Sequence, residues 1–185
     1  MHFGRRRVLR PLTSKPVLLL ALGNESRGDD ALGPLLARRL HAWLTSTGRD
    51  SAVEIIEEFQ LQIEHTLDLK GRDLVLFVDA GEGTRPPFDF FAARAGSAVG
   101  YTTHAVAPEA LLGLYARVHA AAPPPAFILC LAGEGFELGE PLSAAAAVHL
   151  EAGFTFCQRL FDSPSLPSWQ ASCNEPIHVG RTPIA

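Results

Sequence analysis

Carboxylates and one imidazole stand at three places where chemistry could be done: Asp29 and Asp30 in a polar loop, Asp79 two residues before Gly81, and His104 in Tyr101-Thr102-Thr103-His104. Each acidic site follows an apolar run, Val17–Leu22 in one case and Leu74–Val78 in the other. Two carboxylate oxygens and an imidazole nitrogen suit a borderline divalent cation such as Ni²⁺ or Zn²⁺. Aspartate is already ionised at neutral pH, and histidine binds as the neutral ring. A cation held this way, with its coordination shell partly open, would polarise a carbonyl or hold a water. Spacing alone leaves simpler roles open. Asp29 or Asp30 could cap the following helix by accepting free backbone N–H bonds. Asp79 could cap the turn at Gly81, and His104 could be a solvated loop residue.

Such groups need a scaffold that brings strand ends together. The uninterrupted run Leu18-Leu19-Leu20-Ala21-Leu22 suits a strand buried on both faces. After the polar loop, Leu32, Leu35, Leu36, Leu40, Trp43 and Leu44 recur at helical spacing, up to a stop near Thr47-Gly48. Val53–Ile56 is a short β-branched strand, Leu61–Leu69 a short helix, and Asp73–Gly81 a second buried strand. Pro86-Pro87 marks a turn before a short edge strand, Phe88–Ala93. Pro108 opens a helix with an apolar stripe of Leu111, Leu114, Tyr115 and Val118. A third buried strand, Ala126–Leu131, follows Pro123-Pro124-Pro125, and the last helix runs from about Ser143 to Phe161. Its core contributors are expected to be Val148, Leu150, Phe154, Phe156 and Leu160. This alternation predicts an α/β fold, a three-layer αβα sandwich around a twisted, mainly parallel sheet of about five strands. Sheets of this kind place ligands at the carboxyl ends of their strands, where Asp29, Asp30 and Asp79 fall.

The bulk properties narrow the classes. With 185 residues the chain is long enough for one domain with a proper core. A net charge of −4 gives no general attraction to nucleic acid. No apolar run reaches the ~18 residues of a membrane span. Cys130, Cys157 and Cys173 are scattered and odd in number, which argues against a disulfide framework or a cysteine metal site. Arg5-Arg6-Arg7 superficially matches a twin-arginine signal, but Lys15 and Pro16 interrupt its apolar core and Val17–Leu22 is needed as a strand. We therefore expect a basic N-terminal tail over residues 1–16, a single α/β domain over 17–161, a loose C-terminal tail over 162–185, and a cytoplasmic location. The Gly23–Gly33 loop matches neither the dinucleotide fingerprint nor the phosphate loop. No nucleophile elbow or Cys/His arrangement is present, and the other six histidines have no partner at ligand spacing.

Gly23-Asn24 followed by Gly28-Asp29-Asp30-Ala31-Leu32-Gly33 resembles the amino-terminal signature of the nickel–iron hydrogenase maturation endopeptidases. Val78-Asp79-Ala80 is similar to that family's second acidic site, and Thr103-His104 with Pro108 and Leu111-Leu112 to its histidine loop and following helix. Gly135–Ser143 resembles its final loop. The similarity spans about Val17 to Leu160, in the family's order. It implies an aspartic-type endopeptidase that removes the C-terminal peptide of a hydrogenase large-subunit precursor after nickel insertion. Asp30, Asp79 and His104 would be the nickel-contacting and catalytic triad, the nickel belonging to the precursor, with no tightly held metal in the peptidase. Asn24 and Asp29 would hold the loop or orient a ligand. The expected partner is the precursor alone, with no nucleic acid and no membrane, and the chain is expected to be a monomer. Three departures stand out. Ala31 replaces a usual glycine, Glu58-Phe59-Gln60-Leu61 replaces a glycine-rich loop associated with substrate recognition, and Ala107 replaces a hydroxyl cap. Two alternatives accompany this reading: a related peptidase of the same fold, such as the spore germination protease, and a non-catalytic module that binds metal or a partner protein.

Overall fold

The computed structural model describes residues 15–96 and 106–173. Strand β1 (Val17–Leu22) is buried at every position, as an all-apolar run requires. It lies in the middle of a sheet with β2 (Val53–Glu58), β3 (Leu74–Glu82), β4 (Phe88–Ala93) and β5 (Ala126–Gly133). The strand order is β2-β1-β3-β5-β4. Only β4 runs antiparallel, paired to β5 at the edge, while the other pairs are parallel. The expected sheet is therefore present, mixed but mainly parallel.

Helices α1 (Leu32–Ser46), α3 (Ala144–Asp162) and α4 (Leu166–Ser172) cover one face. Leu32, Leu36, Leu40 and Leu44 of α1 meet Leu19, Leu76, Val78 and Leu129 there. Helix α2 (Pro108–His119) covers the other face, with Leu111, Leu112 and Tyr115 against Leu18, Leu20, Val75 and Phe77. Successive residues of β1 and β3 thus feed opposite layers, as the period of two in a strand dictates.

Three expectations need correction. The stretch after Asp162 is not loose as far as Cys173, because α4 folds back onto the sheet and Trp169 is 0% exposed. The Trp169 indole N–H donates to the Leu160 carbonyl at 3.0 Å, and its ring meets Phe127 and Phe161 edge-on. One large aromatic offsets the weak periodicity of a seven-residue helix. Val118 and Val148 are exposed, not core. On α3 Leu150, Phe156 and Leu160 are buried as expected, joined by Ala146, His149, Gly153 and Cys157, and Gly153 lets the helix approach Leu131 of β5 closely.

Trp169→Ala is expected to cost about 3–5 kcal/mol in urea unfolding, as large-to-small changes in a packed core do. A tail without tertiary contacts would give no change.

Candidate active site

Strand β1 ends at Leu22, and the chain then turns through Gly23 with φ 140°, a conformation that favours glycine. A Cβ at Gly23 would also strike the Asp30 carbonyl oxygen. A tight 3-10 turn, Gly28–Ala31, leads straight into α1. Ala31 has φ −69° and ψ −14°, ordinary right-handed backbone, so this position does not require glycine here.

Asp29 is 1% exposed and caps no part of α1. Its carboxylate instead reaches the loop between β5 and α3. Oδ2 accepts from the Glu134 N–H at 2.8 Å, the Gly135 N–H at 3.2 Å and the Ser143 hydroxyl at 2.9 Å. Oδ1 accepts from the Ser143 N–H at 2.7 Å. Ser143 in turn is the N-cap of α3, accepting from the Ala146 N–H. Burial by itself would raise the Asp29 pKa, but the bonds from Glu134, Ser143 and Gly135 reverse this and hold it below the ordinary 3.8.

The next residue points elsewhere. Asp30 Oδ2 accepts from the Asn24 N–H at 3.0 Å, while Asn24 Oδ1 accepts from the Ser26 N–H at 2.9 Å. Asn24 thus organises the loop and holds Asp30. On β3, Val75 and Phe77 face α2 while Leu76 and Val78 face α1 and α3. The same alternation turns Asp79 to the α2 side. Asp30 and Asp79 there line one cleft of about 620 Å³, walled by Leu22, Leu61, Val106 and Pro108. Register explains the meeting, since Ala21 pairs with Val78 and the β1 loop therefore begins beside Asp79.

Burial pushes the Asp79 carboxyl up to about 6, opposed by its hydrogen bond from the Ala80 N–H and reinforced by the Asp30 charge. Cys130 lies abreast of Asp79 on β5, its Sγ 3.1 Å from the Thr84 hydroxyl. Burial, with the Asp79 charge adding to it, raises this thiol too, which leaves Cys130 a poor nucleophile at neutral pH.

His104 lies outside the described residues, as do His2 and His178. The chain is described again from Val106, which lines the Asp30–Asp79 cleft and whose N–H donates to the Leu61 carbonyl at 3.3 Å. Among the described residues no three His, Cys, Asp or Glu side chains gather to hold a metal. Of the other histidines, His41 is exposed, whereas His65 and His149 are buried and hydrogen-bonded. Ala107, which precedes α2, supplies no side-chain cap.

Of the other cleft residues, Phe59 and Phe136 fall in segments noted in the sequence, whereas Arg27 and Glu82 were not singled out there. Arg27 directly precedes Gly28-Asp29-Asp30, and Glu82 follows Asp79 on the same strand, so proximity in sequence was the available signal. Phe59 is 75% exposed and also lines a second cleft of about 520 Å³ with Asn24, Glu25 and Arg38.

No protein-family model and no curated protein matches the sequence. Solved structures do. The chain superposes on a nickel–iron hydrogenase maturation protease, HycI, from Thermococcus kodakarensis with a TM-score of 0.60 and 18% identity, covering 82% of this chain and 96% of that one. The hydrogenase maturating endopeptidase HybD from E. coli gives 0.60 at 18% identity, covering 79% and 92%. A hydrogenase 2 maturation peptidase from a Thaumarchaeota archaeon gives 0.57 at 20%, covering 80% and 99%. The fold is that of the hydrogenase maturation proteases. Within this maturation-protease fold, the acidic pair sits at the carboxyl edge of the parallel strands, where such sheets bind ligands.

Both acidic groups make stability depend on pH, with opposite signs. Asp29 has a lowered folded-state pKa, so its contribution is present above 3.8 and lost as pH falls through the lower folded value. Asp29→Asn turns an amide toward N–H donors and is expected to cost about 1–3 kcal/mol at neutral pH, the gap shrinking in acid. Asp79 has a raised folded-state pKa, so stability is lost as pH rises from 3.8 to about 6. Asp79→Asn is therefore expected to stabilise the chain at pH 7 by up to roughly 3 kcal/mol, read from urea midpoints, with the gain fading toward acid.

Proposed function

We propose that this chain is an aspartic-type endopeptidase that removes the C-terminal peptide of a nickel–iron hydrogenase large-subunit precursor after nickel insertion. The carrying observation is that Asp30 and Asp79, delivered by two different strands, line one cleft in a fold shared with proteins described as hydrogenase maturation proteases. In this reading the nickel is part of the substrate, and Asp30, Asp79 and His104 contact it. The peptidase itself holds no resident metal and acts as a monomer in the cytoplasm.

The chemistry asked of the cleft is modest. A peptide carbonyl near the substrate's nickel is made more electrophilic, and a water attacks it. With a pKa of about 6, Asp79 is mostly ionised at pH 7, yet far more basic than an ordinary aspartate. That suits a general base poised near the working pH. Asp30, kept in place by the Asn24 N–H, faces the same space. Phe59 and Gln60, in the segment that replaces the glycine-rich loop, wall the cleft and would meet the substrate's flanking residues.

Purified protein incubated with nickel-loaded and nickel-free precursor, followed by intact-mass spectrometry, tests the reading. Cleavage of the loaded form alone is expected. Asp30→Ala, Asp79→Ala and His104→Ala should leave it whole while the circular dichroism spectrum is retained. A stable complex without any mass change would instead point to a binding module. Because Asp79 must be ionised, kcat/KM should fall on the acid side of pH ~6, close to tenfold per pH unit. A flat profile through that range would remove Asp79 from the role of base.

A further inference from the structure

Asp30, Asp79 and Glu82 put three carboxylates on the lining of the cleft, and among the described lining residues Arg27 is the one cation. Attack of water on a peptide carbonyl makes a negative oxygen. In a cleft already crowded with carboxylates that charge meets repulsion, and a fixed cation aimed at it relieves the conflict.

Arg27 is held for such a task. Its Nε–H donates to the Phe136 carbonyl at 3.1 Å, which fixes one edge of the guanidinium and leaves the terminal N–H groups for another acceptor. Among the described residues it makes no ion pair within 4 Å, unlike Arg38, Arg39, Arg49, Arg72 and Arg85. The loop carrying Phe136 is itself tied to the Arg27 loop. The Gly28 N–H donates to the Glu140 carbonyl at 3.1 Å, the Asp29 N–H to the Gly135 carbonyl at 2.8 Å, and the Gly139 N–H to the Ser26 carbonyl at 2.7 Å. Those bonds, with the four at the Asp29 carboxylate, give an exposed arginine a rigid base.

Resting on the peptidase reading above, we propose that Arg27 is a further catalytic residue, whose guanidinium binds the carbonyl oxygen of the scissile peptide as it becomes an oxyanion. The water oxygen bonds to the carbonyl carbon, the carbonyl π pair moves onto its oxygen beside Arg27, and the water's proton goes to a cleft carboxylate. On collapse the pair returns, the C–N bond breaks, and the departing nitrogen takes that proton. Arg27 keeps its own proton throughout, as an arginine does at any working pH.

The test uses the full chain and the nickel-loaded hydrogenase large-subunit precursors of its host, offered singly, with kcat and KM measured separately. Arg27→Met is expected to lower kcat about 10²-fold, with KM within about twofold of wild type. Arg27→Lys, which keeps the charge and loses the planar fork, should recover roughly tenfold of that loss. The melting temperature of both should stay within about 2 °C of wild type, since the side chain's described bond is at the surface. A wild-type kcat in Arg27→Met, or a loss lying wholly in KM, overturns the role of Arg27. If wild type cleaves none of the precursors, the peptidase reading falls and takes this one with it. If wild type cleaves, Asp79→Asn does not, and Arg27→Met is unimpaired, only the assignment of Arg27 is lost.

Discussion

One buried carboxylate holds the working end of this molecule together. Asp29 accepts four hydrogen bonds from a loop more than a hundred residues away, three from backbone N–H groups and one from the Ser143 hydroxyl. Without those donors a carboxylate buried to this degree would be strongly unfavourable. With them, it becomes the acceptor that two strand-end loops share. It also sits where α3 begins, and the positive end of a helix favours a nearby negative charge. The β1 loop therefore cannot wander relative to the β5–α3 loop, and the residues on either side of Asp29 inherit that rigidity. Asp30 faces the cleft, and Arg27 rests on the Phe136 carbonyl.

Asp79 is placed by a different device. It continues the in-and-out alternation that puts Val75 and Phe77 into the core under α2, so the pattern that builds the core also carries an acid into a largely buried position. Neighbouring Asp30 adds repulsion to the loss of solvation, and both raise the energy of the ionised form. Ionising Asp79 therefore costs stability, and in the proposed reaction that cost leaves a more basic carboxylate in the cleft. Asp29 and Asp79 are the same residue type with opposite pKa shifts. Four hydrogen bonds outweigh burial at Asp29, whereas at Asp79 one bond from the Ala80 N–H does not offset burial and the Asp30 charge.

Much of the scaffold could be read before the chain was folded. Runs such as Leu18–Leu22 and Leu74–Val78 have no polar residue to spare for solvent, so they had to be central strands. Phe88–Ala93 alternates less cleanly and lies at the edge. The readings that failed did so where local pattern is weak. Helix α4 is too short and too rich in serine and proline to show a period, and only the space beside Phe127 and Phe161 turns Trp169 into a core residue. Val118 and Val148 extended apolar stripes past their inner edge. On α3 the close approach to Leu131 of β5 favours Gly153 over bulk.

Chain order and residue type by themselves determined the parallel sheet, the edge it presents to ligands, and the arrival of Asp30 and Asp79 at that edge. These follow from strand periodicity and from the rule that parallel strands carry their loops to one end. What each polar side chain does there was decided only by tertiary structure. By residue type and spacing the adjacent aspartates, 29 and 30, look equivalent, and only the family resemblance told them apart; in space one is clasped by Glu134, Gly135 and Ser143 while the other lines the cleft. Hydrogen-bond donors and neighbouring charges act over a few ångströms of space, and separation along the chain carries no trace of that distance.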